Sequence, residues 1–208
     1  MTVHEETGRT PEEALEAGLQ KLAIPREYVL LEVLEEGGKG FLGLGGRQSR
    51  VRLTVTPAGE RLITGRRALE EVLGAMGVSA QIRAEEVQGL IRFELSGTDS
   101  ALLIGKHGQT LEALQFLLVR IVGRQVGERV QVQVDVEGYR ERRREQLEQM
   151  ALRLAEKVKV TRDPVTLEPM SPADRRTVHL ALQHDALVRT TSVGDSSLRR
   201  VVIAPVAR

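Results

Sequence analysis

The stretch Ala101-Leu102-Leu103-Ile104-Gly105-Lys106-His107-Gly108-Gln109-Thr110-Leu111 decides how the rest of the chain is read. Two glycines bracket a lysine and a histidine, and an apolar helical segment lies on each side. Glycine at both ends lets the backbone turn sharply and approach a ligand with no Cβ in the way. The helix that starts at Gln109 turns its unpaired N–H groups toward the loop, which favours a phosphate there. Lys106 and His107 add charge or donors. Taken alone, the same residues also fit a plain helix-capping turn with a solvated lysine.

The surroundings separate these readings. Upstream, Leu69, Val72, Leu73 and Met76 give one apolar face to a helix over 66–76, and strands follow over 78–85 and 90–95. A short helix over 101–104 meets the loop. A longer helix over 109–122 carries Leu111, Leu114, Leu118 and Ile121 at helical spacing. Val130, Val132, Val134 and Val136 then alternate with polar residues, as a half-buried strand does. A dinucleotide fold needs a strand before the glycines, and a Walker loop needs Lys-Ser/Thr after the second one. Neither is present.

The chain to either side has its own grammar. From 1 to 55 a strand-helix-strand-strand unit is expected. Thr10-Pro11-Glu12-Glu13 opens its helix, and strands follow over 28–33 and 50–55. Between them lies a glycine-rich stretch with Lys39, Gly40, Phe41, Leu42 and Gly43 in its middle, which fits either a flexible hairpin anchored by one Phe or an apolar tip at Phe41-Leu42 that docks to a protein partner. Residues 56–60 are read as a short linker. The third segment, 137–208, opens with a helix over 139–158 whose first turns carry Arg140, Arg142, Arg143 and Arg144. Ser171-Pro172-Ala173-Asp174 starts another helix, and strands are expected over 165–167, 187–192 and 199–203. The whole is an α+β protein of three small domains, 1–55, 61–136 and 137–208.

Composition narrows the function. The chain has 208 residues, 41% of them hydrophobic, with aromatics at 2%, so its cores are aliphatic. Charge is 30 basic against 29 acidic overall but unevenly spread: net −3 over 1–60, 0 over 61–136 and +4 over 137–208. The field that attracts phosphate is therefore concentrated in the last segment. With no cysteine, disulfides and thiolate metal sites are out. His4, His107, His179 and His184 lack metal-ligand spacing, and no nucleophile motif or paired acidic cluster stands out, so no enzyme, metal or cofactor is expected. No signal pattern or membrane-length apolar run is seen, which leads us to expect a cytoplasmic protein without membrane insertion.

Arg175 and His179 are four apart on the second helix of the last segment and so share a face. Such a pair suits contact with a phosphate and stacking on a base or sugar, with Arg176, Arg199 and Arg200 extending the basic surface. By spacing alone, the simpler reading is a surface helix whose His179 caps a neighbouring strand.

The element order around 104–109 resembles a type II KH domain, which grips about four nucleotides on its Gly-x-x-Gly loop. Ile104, Gly105, Lys106, His107, Gly108 and Gln109 would form that grip. Ser171-Pro172, Arg175, His179 and the strand ending Arg199-Arg200-Val201-Val202-Ile203-Ala204-Pro205 resemble the RxxxH (R-three-H) domain of single-stranded nucleic-acid binders. With Lys39-Gly40-Phe41-Leu42-Gly43 in front, the ordered set resembles the Jag family, also called SpoIIIJ-associated, EloR or KhpB proteins. The resemblance implies a bacterial regulator of cell elongation and division that binds single-stranded RNA. It also implies pairing with a small KH-domain (KhpA-like) protein as a heterodimer. His107 departs from the family, because a permanently charged residue is usual there; grip at that position would vary with pH. The rival reading is a protein-interaction scaffold in which nucleic-acid binding is secondary.

Overall fold

The computed structural model describes residues 2–38 and 47–206. Each of the three sequence segments builds one three-stranded sheet. In the first, β1 (Val3–Gly8), β2 (Val29–Glu35) and β3 (Ser49–Val55) form an antiparallel sheet in the order β1-β3-β2. Helix α1 (Pro11–Leu22) starts where Thr10 Oγ1 accepts from Glu13 N, and buries Ala14 against Val51 and Leu53. A Cβ on Gly18 would lie 2.2 Å from Leu53 Cδ1, so the helix sits as low on the sheet as a glycine allows.

Helix α2 runs over Pro57–Met76, and this corrects the expectation of a linker at 56–60. Thr56 is its N-cap, accepting from Gly59 N at 3.2 Å, and Pro57 fills the first position, where no N–H is needed. Two glycines set its seat. A Cβ on Gly59 would fall within 3.0 Å of Val55 and Tyr28, and one on Gly65 would lie 2.6 Å from the ring of Phe93. One helix therefore packs on the end of the first sheet and on the second. Tyr28 strengthens this join: its hydroxyl donates to Glu86 O at 3.3 Å and accepts from Glu86 N at 3.0 Å.

The second sheet, in the order β4-β5-β6, comprises Gln81–Val87, Leu90–Ser96 and Gln131–Val136. Between β5 and β6 lie α3 (Ser100–Ile104) and α4 (Gln109–Val126). In the third segment α5 (Tyr139–Thr161) and α6 (Pro172–Ala181) cover one face of the sheet β7-β9-β8, formed by Val165–Thr166, Arg200–Pro205 and Val188–Val193. Leu147, Ala151, Ala155 and Val158 of α5, Val178 of α6, Leu182, Val188 of β8, and Val201 and Ile203 of β9 make its core.

Packing groups these elements into two compact units, Met1–Ala101 with Glu112–Asp135, and Leu102–Leu111 with Val136–Arg208. The Gly-x-x-Gly segment thus packs in the same unit as the last sheet and its helices.

Candidate nucleic-acid interface

The 105–108 loop is a tight, glycine-dependent turn. Gly105 has φ 68° and ψ −171°, a combination closed to side-chain-bearing residues, and Gly108 has φ 84°. A Cβ on Gly105 would sit 2.0 Å from Thr110 Oγ1. On Gly108 it would sit 2.9 Å from Tyr139 Cε1. Between them Lys106 and His107 are exposed, and His107 itself takes a left-handed conformation at φ 54°, ψ 28°. Leu103 and Leu111 on either side are buried and anchor the loop ends; Ile104 is half-buried and Gln109 exposed. Both missing Cβ positions are thus filled by the protein's own atoms and Gly108 is buried, so what is displayed at the start of the 18-residue helix is the Lys106-His107 tip.

On α6, Ser171 Oγ caps Asp174 N at 3.2 Å. Further along the helix, both ring nitrogens of His179 are engaged: Nδ1 lies 2.6 Å from Thr190 Oγ1 and Nε2 2.9 Å from Ser192 Oγ. Thr190 and Ser192 are two apart on β8 and so point the same way. Burial, and then the nearby charge of Arg175, push the His179 imidazole below its ordinary range. A neutral ring holding two hydroxyls is a brace between helix and strand, the arrangement that spacing alone suggests. Arg175 is half-buried, and its Nε is buried without a hydrogen-bond partner among the described residues. Arg175 is thus the permanently charged member of the Arg175/His179 pair.

The other expected positions lie elsewhere. Arg176 and Arg199 are exposed, Arg199 just ahead of β9. Arg200 alternates with the core residues Val201 and Ile203, so it projects from the sheet face opposite α5 and α6, and its Nε donates to Leu198 O at 3.3 Å. Arg200 and His179 are therefore on different faces of one sheet. The tip residues Lys39, Gly40, Phe41, Leu42 and Gly43 lie outside the described residues.

With this geometry in place, comparison with known proteins becomes specific. A Jag N-terminus profile matches residues 7–55, a KhpA/KhpB KH-domain profile matches 66–134, and an R-three-H domain profile matches 145–205. The RNA-binding protein KhpB of Clostridium symbiosum is 38% identical over 203 residues, covering 95% of this chain and 89% of that protein. The RNA-binding protein KhpB of Bacillus subtilis (strain 168) is 35% identical over 199 residues, covering 95% of each. The chain belongs to the KhpB family.

Several residues that position these candidate elements in the KhpB-family chain carry no local signal. Tyr139, the first residue of α5, lays its ring against Gly108. Arg143 reaches from α5 to α6, where Nε and Nη2 hold Asp174 Oδ2 at 3.1 and 2.9 Å in a largely buried pair. Arg142 is exposed and donates to Glu137 O, closing the turn in which Glu137 and Gly138 both have positive φ. Among the described residues no group of three or more His, Asp or Glu is placed to hold a metal, and no helix is long and apolar enough to cross a membrane.

Proposed function

We propose that this chain binds single-stranded RNA, gripping the sugar-phosphate backbone at the 105–108 loop and adding positive charge from the α6 face. The observation that carries the reading is the loop: a tight turn that only glycine permits at 105 and 108, with Lys106 and His107 exposed at its tip. The KH and R-three-H matches, and relatives named as RNA-binding proteins, support it. On this reading the protein is a non-catalytic, cytoplasmic post-transcriptional regulator tied to bacterial cell elongation and division.

The test is an electrophoretic titration of single-stranded RNA at several salt concentrations. Lys106→Asp with His107→Asp weakens binding and flattens the salt dependence, by about 0.7 in log–log slope for each phosphate no longer neutralised. Unchanged affinity and slope would refute the grip at this loop.

A pairing role is favoured by one further observation. Phe116 and Leu117 on α4 are 60% and 45% exposed, and the Arg120 guanidinium stands 5.3 Å over the Phe116 ring. An exposed aromatic–arginine pair is typical of protein interfaces, and a small KH-domain (KhpA-like) protein is the partner we assign to it. The Lys39–Gly43 tip is assigned to a separate protein partner. Loss of heterodimer on Phe116→Asp, with RNA affinity retained, is the expected result.

A further inference from the structure

We infer that the Gly-x-x-Gly loop and the α6 face are the two ends of one continuous track, occupied by a single RNA strand that runs along the first turns of α5. This rests on the reading that the chain binds single-stranded RNA, and goes beyond it by joining two domains into one site. The first ground is packing: Leu102–Leu111, which carries the loop, belongs to the same compact unit as Val136–Arg208. The second is a chain of direct contacts. Gly108 is seated against the ring of Tyr139, at the first position of α5. Four residues on, about 6 Å along the helix axis, Arg143 grips Asp174 of α6 through two nitrogens. Arg175 is the next residue. Loop, helix and helix are thus tied at short range, and the ends are fixed relative to each other before any ligand arrives.

The charges on this path suit a polyanion. Asp174 is the acidic group nearest Arg175 in the chain, and Arg143 neutralises it, so it does not repel a phosphate at that face. Arg144 is occupied by Glu141 and Glu148. Arg142 donates to the Glu137 carbonyl, a neutral acceptor, and keeps its positive charge exposed between the two ends. Lys106, Arg142 and Arg175 each lie within three residues of one of these contacts, at Gly108, Tyr139 and Asp174. A KH loop holds about four nucleotides; a strand long enough to continue reaches Arg142 and then Arg175 with no flexible linker to order. Joining two sites at fixed spacing raises affinity by about 100-fold to 10,000-fold over either alone.

The experiment is a fluorescence-anisotropy titration of the full chain with single-stranded RNA of about four and about twelve nucleotides, one to three times the KH footprint, with stoichiometry read at saturation. One track predicts a single long strand per chain, bound at least about 100-fold more tightly than the short one. Lys106→Asp and Arg175→Ala each bring the long strand down to roughly short-strand affinity, and Arg142→Ser weakens it by about 10-fold. Two long strands per chain, or equal affinity for both lengths, overturns the single track while leaving RNA binding standing. No binding at either length overturns both.

Discussion

Gly105→Ala is the substitution whose cost the geometry defines best. Gly77 supplies the reference, because its φ of 69° nearly equals the 68° of Gly105 and nothing lies within 4 Å of where its Cβ would be. Gly77→Ala therefore measures left-handed backbone strain by itself, about 1 kcal/mol. At Gly105 two further terms are added. Its ψ of −171° places it in a region only glycine occupies, and the new methyl would meet Thr110 Oγ1 at 2.0 Å, Cβ at 2.8 Å and the backbone N at 3.1 Å. Strain and overpacking together come to about 4 kcal/mol. The chain has no tryptophan, so urea unfolding is followed by helical circular dichroism, and midpoints are converted through the common slope. Gly105→Ala should fall about 3 kcal/mol below Gly77→Ala, and adding Thr110→Ala should restore about 1 kcal/mol by removing the nearest atom. If Gly105→Ala costs no more than Gly77→Ala, the loop does not have this conformation and the argument from its tight turn fails.

Three other perturbations address different parts of the molecule. Removing Arg143 leaves Asp174 largely buried and unpaired; Arg143→Ala should cost about 2–3 kcal/mol, with an isosteric Asp174→Asn recovering part of it in the double variant, and a neutral result by thermal melting would remove the brace. His179, with its folded-state pKa depressed, binds its proton more readily when unfolded. The stability it contributes is therefore present above the ordinary imidazole value of about 6.5 and is lost as pH falls through the depressed one. His179→Gln should flatten the melting temperature against pH on the acid side, whereas parallel profiles would contradict the assignment. Tyr28→Phe deletes both hydrogen bonds to Glu86 and should lower stability by about 1–2 kcal/mol; amide exchange at Glu86 faster than in the parent protein is the specific sign, and unchanged exchange would rule out the join.

What the sequence discloses is what depends on neighbours in the chain. Thr10-Pro11 and Ser171-Pro172 mark helix starts that the structure reproduces as capping hydrogen bonds, because an N-cap is made within three residues. The valine alternation of β6 is readable for the same reason. The helix start at Thr56, which sequence reasoning missed, has the same Thr-Pro signature followed by Glu60, and the rule that finds α1 would find it. Gly59 and Gly65 conceal it: they lower helix propensity, yet are needed for close approach to Tyr28 and Phe93. The roles of Tyr139, Asp174, Thr190 and Ser192 arise only when distant segments meet, and nothing in local spacing announces them. For the same reason Arg200 falls in with His179 on sequence grounds, since only the β9 register separates the two faces.

The seating of α2 bears on how such a chain can be cut and recombined. The Jag N-terminus profile ends at residue 55 and the KH profile begins at 66, an interval that invites a junction. Yet those residues are the cap and first half of a helix that both neighbouring sheets use. A chimera joined there would inherit a helix fitted to a sheet it no longer meets. Exchange of the amino-terminal module between relatives therefore has to carry α2 with it, together with the tyrosine that reaches Glu86, and the unit of inheritance is longer than the unit of recognition.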